Sequence, residues 1–123
     1  MPDKVLVCDD SSFMRNVMIQ ILQGGGYTVV GEAENGADAV RMYKELKPDV
    51  VTMDLVMPDM SGIDAVRAIV SEDKRARVVM CSAVGQEAIV SRAIEAGAST
   101  YVVKPFGPAE LISAVRRALG RDE

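Results

Sequence analysis

The sequence predicts a doubly wound α/β domain on a five-stranded parallel sheet, and three observations predict it. Short β-branched runs alternate with helically spaced apolar residues five times, without a break in composition. The strand-like runs are apolar at nearly every position, the pattern of strands buried on both faces and joined through helices. Glycines fall where the intervening helices should stop. Right-handed crossovers then place helices on both sides of the sheet.

The first strand is placed at Val5 to Asp9, where Val5-Leu6-Val7-Cys8 runs into two carboxylates. Phe13, Val17 and Ile21 give the first helix, which starts near Ser12 and stops at Gly24-Gly25-Gly26. The second strand is Thr28 to Ala33, followed by a helix carrying Val40 and Tyr43. The third strand is Val50 to Asp54. Ser61, with Asp64 three residues on, then opens a helix containing Ile63, Val66 and Val70. The fourth strand, Val78 to Ser82, leads into a helix from Gln86 to Glu95 with Ile89, Ala93 and Ile94 inward, ended by Gly97. The fifth strand, Thr100 to Val103, precedes a last helix from Ala109 to Leu119 that carries Leu111, Val115 and Leu119 and stops at Gly120. No repeat, low-complexity segment or Pro-rich linker interrupts the chain, so residues 1–123 read as one domain, with structure from about Asp3 to about Arg121.

Composition narrows the function. A chain of 123 residues buries one core without staples, and 49% hydrophobic with 26% charged residues is a soluble globular balance. No window approaches the roughly 18 consecutive apolar residues that span a bilayer, and Met1-Pro2-Asp3-Lys4 does not open a secretory leader. The expectation is a cytoplasmic protein with no membrane partner. Cys8 and Cys81 lie inside strand-like runs and read as buried thiols, too few for a disulfide framework or a zinc set. A net charge of −4 with no long basic run argues against nucleic acid. Arg116, Arg117 and Arg121 suit the negative end of the last helix.

In an open parallel sheet, a site lies beyond the carboxyl ends of the strands. The first strand ends in Asp9 and Asp10, the third in Asp54, the fourth in Ser82, and Lys104 follows the fifth. Glu32 and Glu34 of the second strand are read as surface residues. Adjacent carboxylates repel, and a third beside them would raise their pKa values or recruit a hard divalent cation. Magnesium fits, since it takes oxygen ligands and is commonly held by one or two carboxylates plus a phosphate. Helix capping would explain one acid but not two. An ammonium, Lys104, and a hydroxyl, Ser82, suit a phosphoryl group shared with the metal. Carboxylates act as nucleophiles in phosphoryl transfer, so one of the three acids is the acceptor.

Four stretches, "VLVCDDSSFMR", "PDVVTMDLVMPDMSG", "VVMCSAVGQ" and "GASTYVVKPF", make the chain resemble the receiver domains of two-component response regulators over essentially its whole length, and among them the stand-alone chemotaxis members. The resemblance implies a flavodoxin-like (βα)5 fold with strand order 2-1-3-4-5. It makes Asp54 the phosphorylated nucleophile, with magnesium held by Asp10 and Asp54, by Asp9 directly or through a water, and by the backbone carbonyl of Val56. Lys104 would pair with the phosphoryl oxygens and Ser82 would swing in to hydrogen-bond them. Tyr101 would follow by changing rotamer, altering the surface of the fourth helix, fifth strand and fifth helix. The Lys104–Pro105 bond is expected to be cis. The implied partners are a histidine kinase of the CheA type, a flagellar motor switch protein or other output target, and a phosphatase, with the chain itself a monomer. Its chemistry would be confined to its own Asp54. Val56 and Val84 replace residues that are often polar in the family, and Ser82 stands for the commoner Thr. These departures bear on the lifetime of the phosphorylated state, which Val56 is expected to lengthen.

Other classes fit less well. A haloacid-dehalogenase-type phosphatase wants its two aspartates one position apart, whereas "CDDSS" has them adjacent, and it wants a cap domain. A flavodoxin-like or other nucleotide-binding module needs an anion cradle after the first strand, where Asp9 and Asp10 would repel the anion. A receiver belonging to a larger regulator, such as a chemotaxis methylesterase or a DNA-binding factor, stays open as an alternative. The ending "GRDE" suits that reading as well as a stand-alone protein.

Overall fold

The computed structural model describes residues 2–83 and 85–121, so Val84 and the end of the "GRDE" segment lie outside the described residues. Five strands and five helices alternate: β1 (Lys4–Cys8), α1 (Ser12–Gly24), β2 (Thr28–Ala33), α2 (Gly36–Leu46), β3 (Val50–Asp54), α3 (Gly62–Glu72), β4 (Val78–Ser82), α4 (Glu87–Ala96), β5 (Thr100–Val103) and α5 (Pro108–Ala118). The strands form one parallel sheet of order β2-β1-β3-β4-β5, as the resemblance implied.

Each central strand feeds two cores because its side chains alternate between faces. Leu6 and Cys8 of β1 join Val51, Met53, Val78 and Met80 beneath α2, α3 and α4. Val5 and Val7 join Val50, Val79 and Cys81 beneath α1 and α5. The two cysteines are therefore buried on opposite faces, and burial pushes both thiols far above their ordinary pKa. They are inert core residues.

Four strand boundaries match the sequence reading; β1 stops at Cys8, one residue early, because the Asp9 carboxylate turns to accept the Ser11 N–H at 2.9 Å. The last two helices each shift by one residue, with Gln86 serving as N-cap of α4 and Pro108 as the first residue of α5. Two inward assignments are corrected. Phe13 is 73% exposed and Ile94 44% exposed. In α1 the buried stripe runs through Met18 and Leu22, one row around from Phe13, Val17 and Ile21; Phe13 sits in the first turn. In α4, Ala93 and Ala96 face the sheet, because small residues let the helix approach it closely.

Helix starts are fixed by side chains. Ser11 caps α1 through the Met14 N–H, Asn35 caps α2 through Asp38, and Ser61 caps α3 through Asp64, as the sequence spacing predicted for the last. Arg116 and Arg117 fall in the last turn of α5.

Candidate functional site

Strand register brings the polar strand ends together. Cys8 pairs with Met53, so Asp9 and Asp54, the next residues, are neighbours at the top of β1 and β3. Asp54 pairs with Cys81 and Ser82 with Val103, which puts Ser82 and then Lys104 on the same rim. The Lys104 N–H donates to the Ser82 carbonyl at 2.8 Å and the Asp9 N–H to the Ala33 carbonyl at 3.0 Å. The backbone at Asp9, Ser82 and Lys104 is thus held by neighbouring strands, and the Lys104–Pro105 peptide is cis as expected.

Asp9, Asp10 and Asp54 each offer a carboxylate oxygen within 4.8 Å of the other two. Asp9 is 1% exposed and Asp54 is 7% exposed, whereas Asp10 faces solvent. Lys104 Nζ lies 2.8 Å from Asp9 Oδ2 and 3.5 Å from Asp54 Oδ1. Neither acid caps α1; that role falls to Ser11, so capping does not account for the pair. Burial, and then the charge of Asp9, push the Asp54 carboxyl above the ordinary range, against the pull of Lys104. Burial alone would lower the Lys104 pKa, yet the Asp9 hydrogen bond and the charges of Asp54 and Asp9 outweigh it and raise it.

The donor set suits a hard cation. All donors are oxygens, and three carboxylates against one ammonium leave two net negative charges, which a divalent ion matches. Ser82 is buried at the end of β4, and Tyr101, half-buried, packs against the α4-side core with Ile89. Val56 is 64% exposed in the loop after β3. Cys8 and Cys81 stay in the core, and Glu32 and Glu34 are exposed as expected.

Three residues were not assigned from sequence. Arg15 donates to the Asp9 carbonyl at 2.6 Å and to Glu32 Oε1 at 2.9 Å, bracing the acidic turn from below. Gly62 donates its N–H to the Leu55 carbonyl at 2.6 Å, and a Cβ there would stand 2.1 Å from the Asp54 carbonyl oxygen. Asp59 reaches across to α2. A glycine eight residues past Asp54 was a visible signal, but only the packing reveals why it is needed.

Comparison with known proteins agrees with this geometry. Residues 5–116 match the family model described as the response regulator receiver domain. The chain is 50% identical to the chemotaxis protein CheY of Thermotoga maritima, over 95% of this chain and 98% of that one. It is 48% identical to CheY of Bacillus subtilis, over 97% and 99%. Among solved structures, the CheX-CheY-BeF3-Mg complex from Borrelia burgdorferi superposes with a TM-score of 0.92 at 38% identity, covering 94% of this chain and 88% of that one. The response regulator domain of Thermotoga maritima CheB superposes at 0.91 with 38% identity over the full length of both chains. The chain belongs to the response regulator receiver family.

Proposed function

We propose that the protein is a phosphorylation-controlled binding switch of the chemotaxis kind, cytoplasmic and monomeric, that takes a phosphoryl group from a histidine kinase onto Asp54. The observation that carries this reading is the unequal commitment of the three acids. Both oxygens of Asp9 already have protein partners, Ser11 N–H and Lys104 Nζ, and Asp10 faces solvent. Asp54 is buried, more basic than an ordinary carboxylate, and lies at the longer 3.5 Å from Lys104. A more basic carboxylate is the better nucleophile. Its oxygen attacks phosphorus, the P–N bond of the phosphohistidine breaks, and the imidazole leaves with the electron pair. Lys104 neutralises charge that gathers on the transferring oxygens, and the Ser82 hydroxyl donates to them.

Asp9, Asp10, Asp54 and the Val56 carbonyl would hold magnesium, which supplies further neutralisation of the phosphoryl oxygens. Tyr101, packed with Ile89 under α4, follows Ser82 and alters the surface shared by α4, β5 and α5. The CheY relatives support a CheA-like kinase and a motor switch protein or other output target as partners, with a phosphatase to reset the switch; the CheY structure with BeF3 and Mg2+ supports the metal. Its chemistry is confined to phosphoryl transfer to and from its own Asp54. The similarity to a CheB receiver keeps the same chemistry with a different output.

The test is intact mass after incubation with acetyl phosphate and magnesium. Wild type gains one phosphoryl group, Asp54→Asn gains none, and chelation abolishes the gain. Undiminished labelling of Asp54→Asn would move the acceptor elsewhere.

A further inference from the structure

The carboxylates of the site are placed by strands, but the loop from Leu55 to Ser61, which carries Val56, has no ladder to hold it. It is clamped at two places in different ways. At the far end, the Gly62 N–H donates to the Leu55 carbonyl at 2.6 Å, closing the loop on itself. In the middle, the Asp59 carboxylate crosses to the start of α2. Its Oδ1 accepts from the Gly36 N–H at 2.7 Å and its Oδ2 from the Ala37 N–H at 2.8 Å, while Oδ1 also accepts from Met60 N–H at 2.9 Å. These backbone donors, Gly36 first, hold the Asp59 carboxyl below its ordinary range. Met60 closes the same contact: a Cβ on Gly36 would stand 2.2 Å from Met60 Cγ, so the helix start must be bare.

A helix cap would be the ordinary reason for such a carboxylate, but α2 has its own. Asn35 Oδ1 accepts from the Asp38 N–H at 2.8 Å. Asp59 instead takes two amides from an element 22 and 23 residues earlier in the chain and ties them to its own loop. We propose that Asp59 is a positioning residue, fastening the loop to α2 so that the Val56 backbone stands where its carbonyl completes the magnesium site. The proposal rests on the phosphoacceptor reading above.

The test uses the full chain, ¹⁵N-labelled, with magnesium titrated against amide chemical shifts and with amide exchange measured at Gly36 and Ala37. Asp59→Ala weakens magnesium binding about tenfold, the low end of the effect of removing a group that orients a metal ligand. It also removes exchange protection at Gly36 and Ala37. Asp59→Asn, which keeps one acceptor oxygen, falls between Asp59→Ala and wild type. Asn35→Ala is the control for a merely structural role: it lowers the urea midpoint through loss of a cap and leaves magnesium affinity unchanged. Unchanged magnesium affinity in Asp59→Ala, retained protection at both amides, or an equal loss of affinity in Asn35→Ala would each overturn the proposal. The underlying reading fails separately, if Asp10→Asn binds magnesium as tightly as wild type.

Discussion

Replacing the central acid should make the metal-free protein more stable. Asp54 lies within 4.8 Å of both other carboxylates by their ligand oxygens, and 3.5 Å from Lys104 Nζ. At an effective dielectric of about 20, repulsion by Asp9 costs roughly 3.5 kcal/mol and attraction to Lys104 returns roughly 4.7 kcal/mol. Repulsion by Asp10 adds roughly 1.7 to 3.5 kcal/mol, the lower figure allowing for its exposure to water. The balance is unfavourable by about 0.5 to 2 kcal/mol before the cost of burying the charge is added. Asp54→Asn removes the charge and keeps the shape and one acceptor oxygen for Lys104.

The expected gain is therefore about 1 kcal/mol in unfolding free energy at neutral pH in chelator, measured by urea unfolding followed by far-UV circular dichroism. The sign with pH follows from the raised carboxyl. A folded pKa above the unfolded value gives wild type a stability increment that is complete below the unfolded pKa and lost as pH rises through the folded one. The advantage of Asp54→Asn should thus vanish in acid and grow as pH rises past the ordinary carboxylate range. Magnesium should reverse the order, since a ligand at 100 times its Kd stabilises the state that binds it by about 2.7 kcal/mol. A destabilised Asp54→Asn in chelator would show that the Lys104 pair outweighs the repulsion and would refute the account of the cluster as strained until a cation arrives.

Other perturbations separate the parts of the site. Lys104→Ala should tighten magnesium binding, because it removes a competing cation 2.8 Å from Asp9, while slowing phosphoryl uptake and costing about 2 kcal/mol of stability; calorimetry, labelling rate and urea unfolding read the three effects. Gly62→Ala should cost about 3 kcal/mol and impair phosphoryl uptake, because its Cβ would meet the Asp54 and Leu55 backbone, which cannot move aside cheaply; normal stability would contradict the close packing. Val56→Asn should shorten the phosphoryl lifetime about tenfold in single-turnover decay at fixed magnesium, because an amide can orient the attacking water that Val only excludes. Equal or slower decay would show that this side chain does not control the water.

The fold was legible because its signals are local. Strands such as Val50–Asp54 and Val78–Ser82 are apolar at nearly every position, and a polar residue at the carboxyl end of such a run has one place to go. That rule alone gathers Asp9, Asp54, Ser82 and Lys104 on one rim. Buried thiols and the Ser61 cap were equally readable. What sequence could not give were contacts that depend on how closely elements approach. Phe13 fits the helical period of Val17 and Ile21, but period fixes only a row of the helix; Ile21 packs at the edge of the core, the fully buried residues are Met18 and Leu22 beside it, and Phe13 in the first turn stays exposed. Nothing near Asp59 in the chain announces the α2 amides it accepts from. Gly62 carries no local signal of the gap it leaves beside the Asp54 carbonyl.

The way the helices start indicates where a signal from Asp54 can travel. Ser11, Asn35 and Ser61 each satisfy an N–H at the start of their helices, and the Glu110 carboxylate accepts from the Gly107 N–H before α5. Among the described helices, α4 and α5 begin at caps, Gln86 and Gly107, that make no side-chain hydrogen bond, and α5 has the Glu110 carboxylate in compensation. The first N–H groups of α4 are among those a helix leaves without an internal partner, so moving this end gives up no side-chain capping bond. The same helix follows Ser82 most directly in the chain and packs on the core that Tyr101 also meets, and its sheet-facing residues are small alanines with little shape to resist a shift. By contrast, the Asp9 turn is fixed by Arg15, Ser11 and the Ala33 carbonyl, and the β3 loop by Asp59 and Gly62. A charge added at Asp54 therefore meets a rigid wall on the β1 and β3 side and a yielding one toward α4. Under the proposed function, this asymmetry would direct a change at Asp54 toward α4 and the face it shares with β5 and α5.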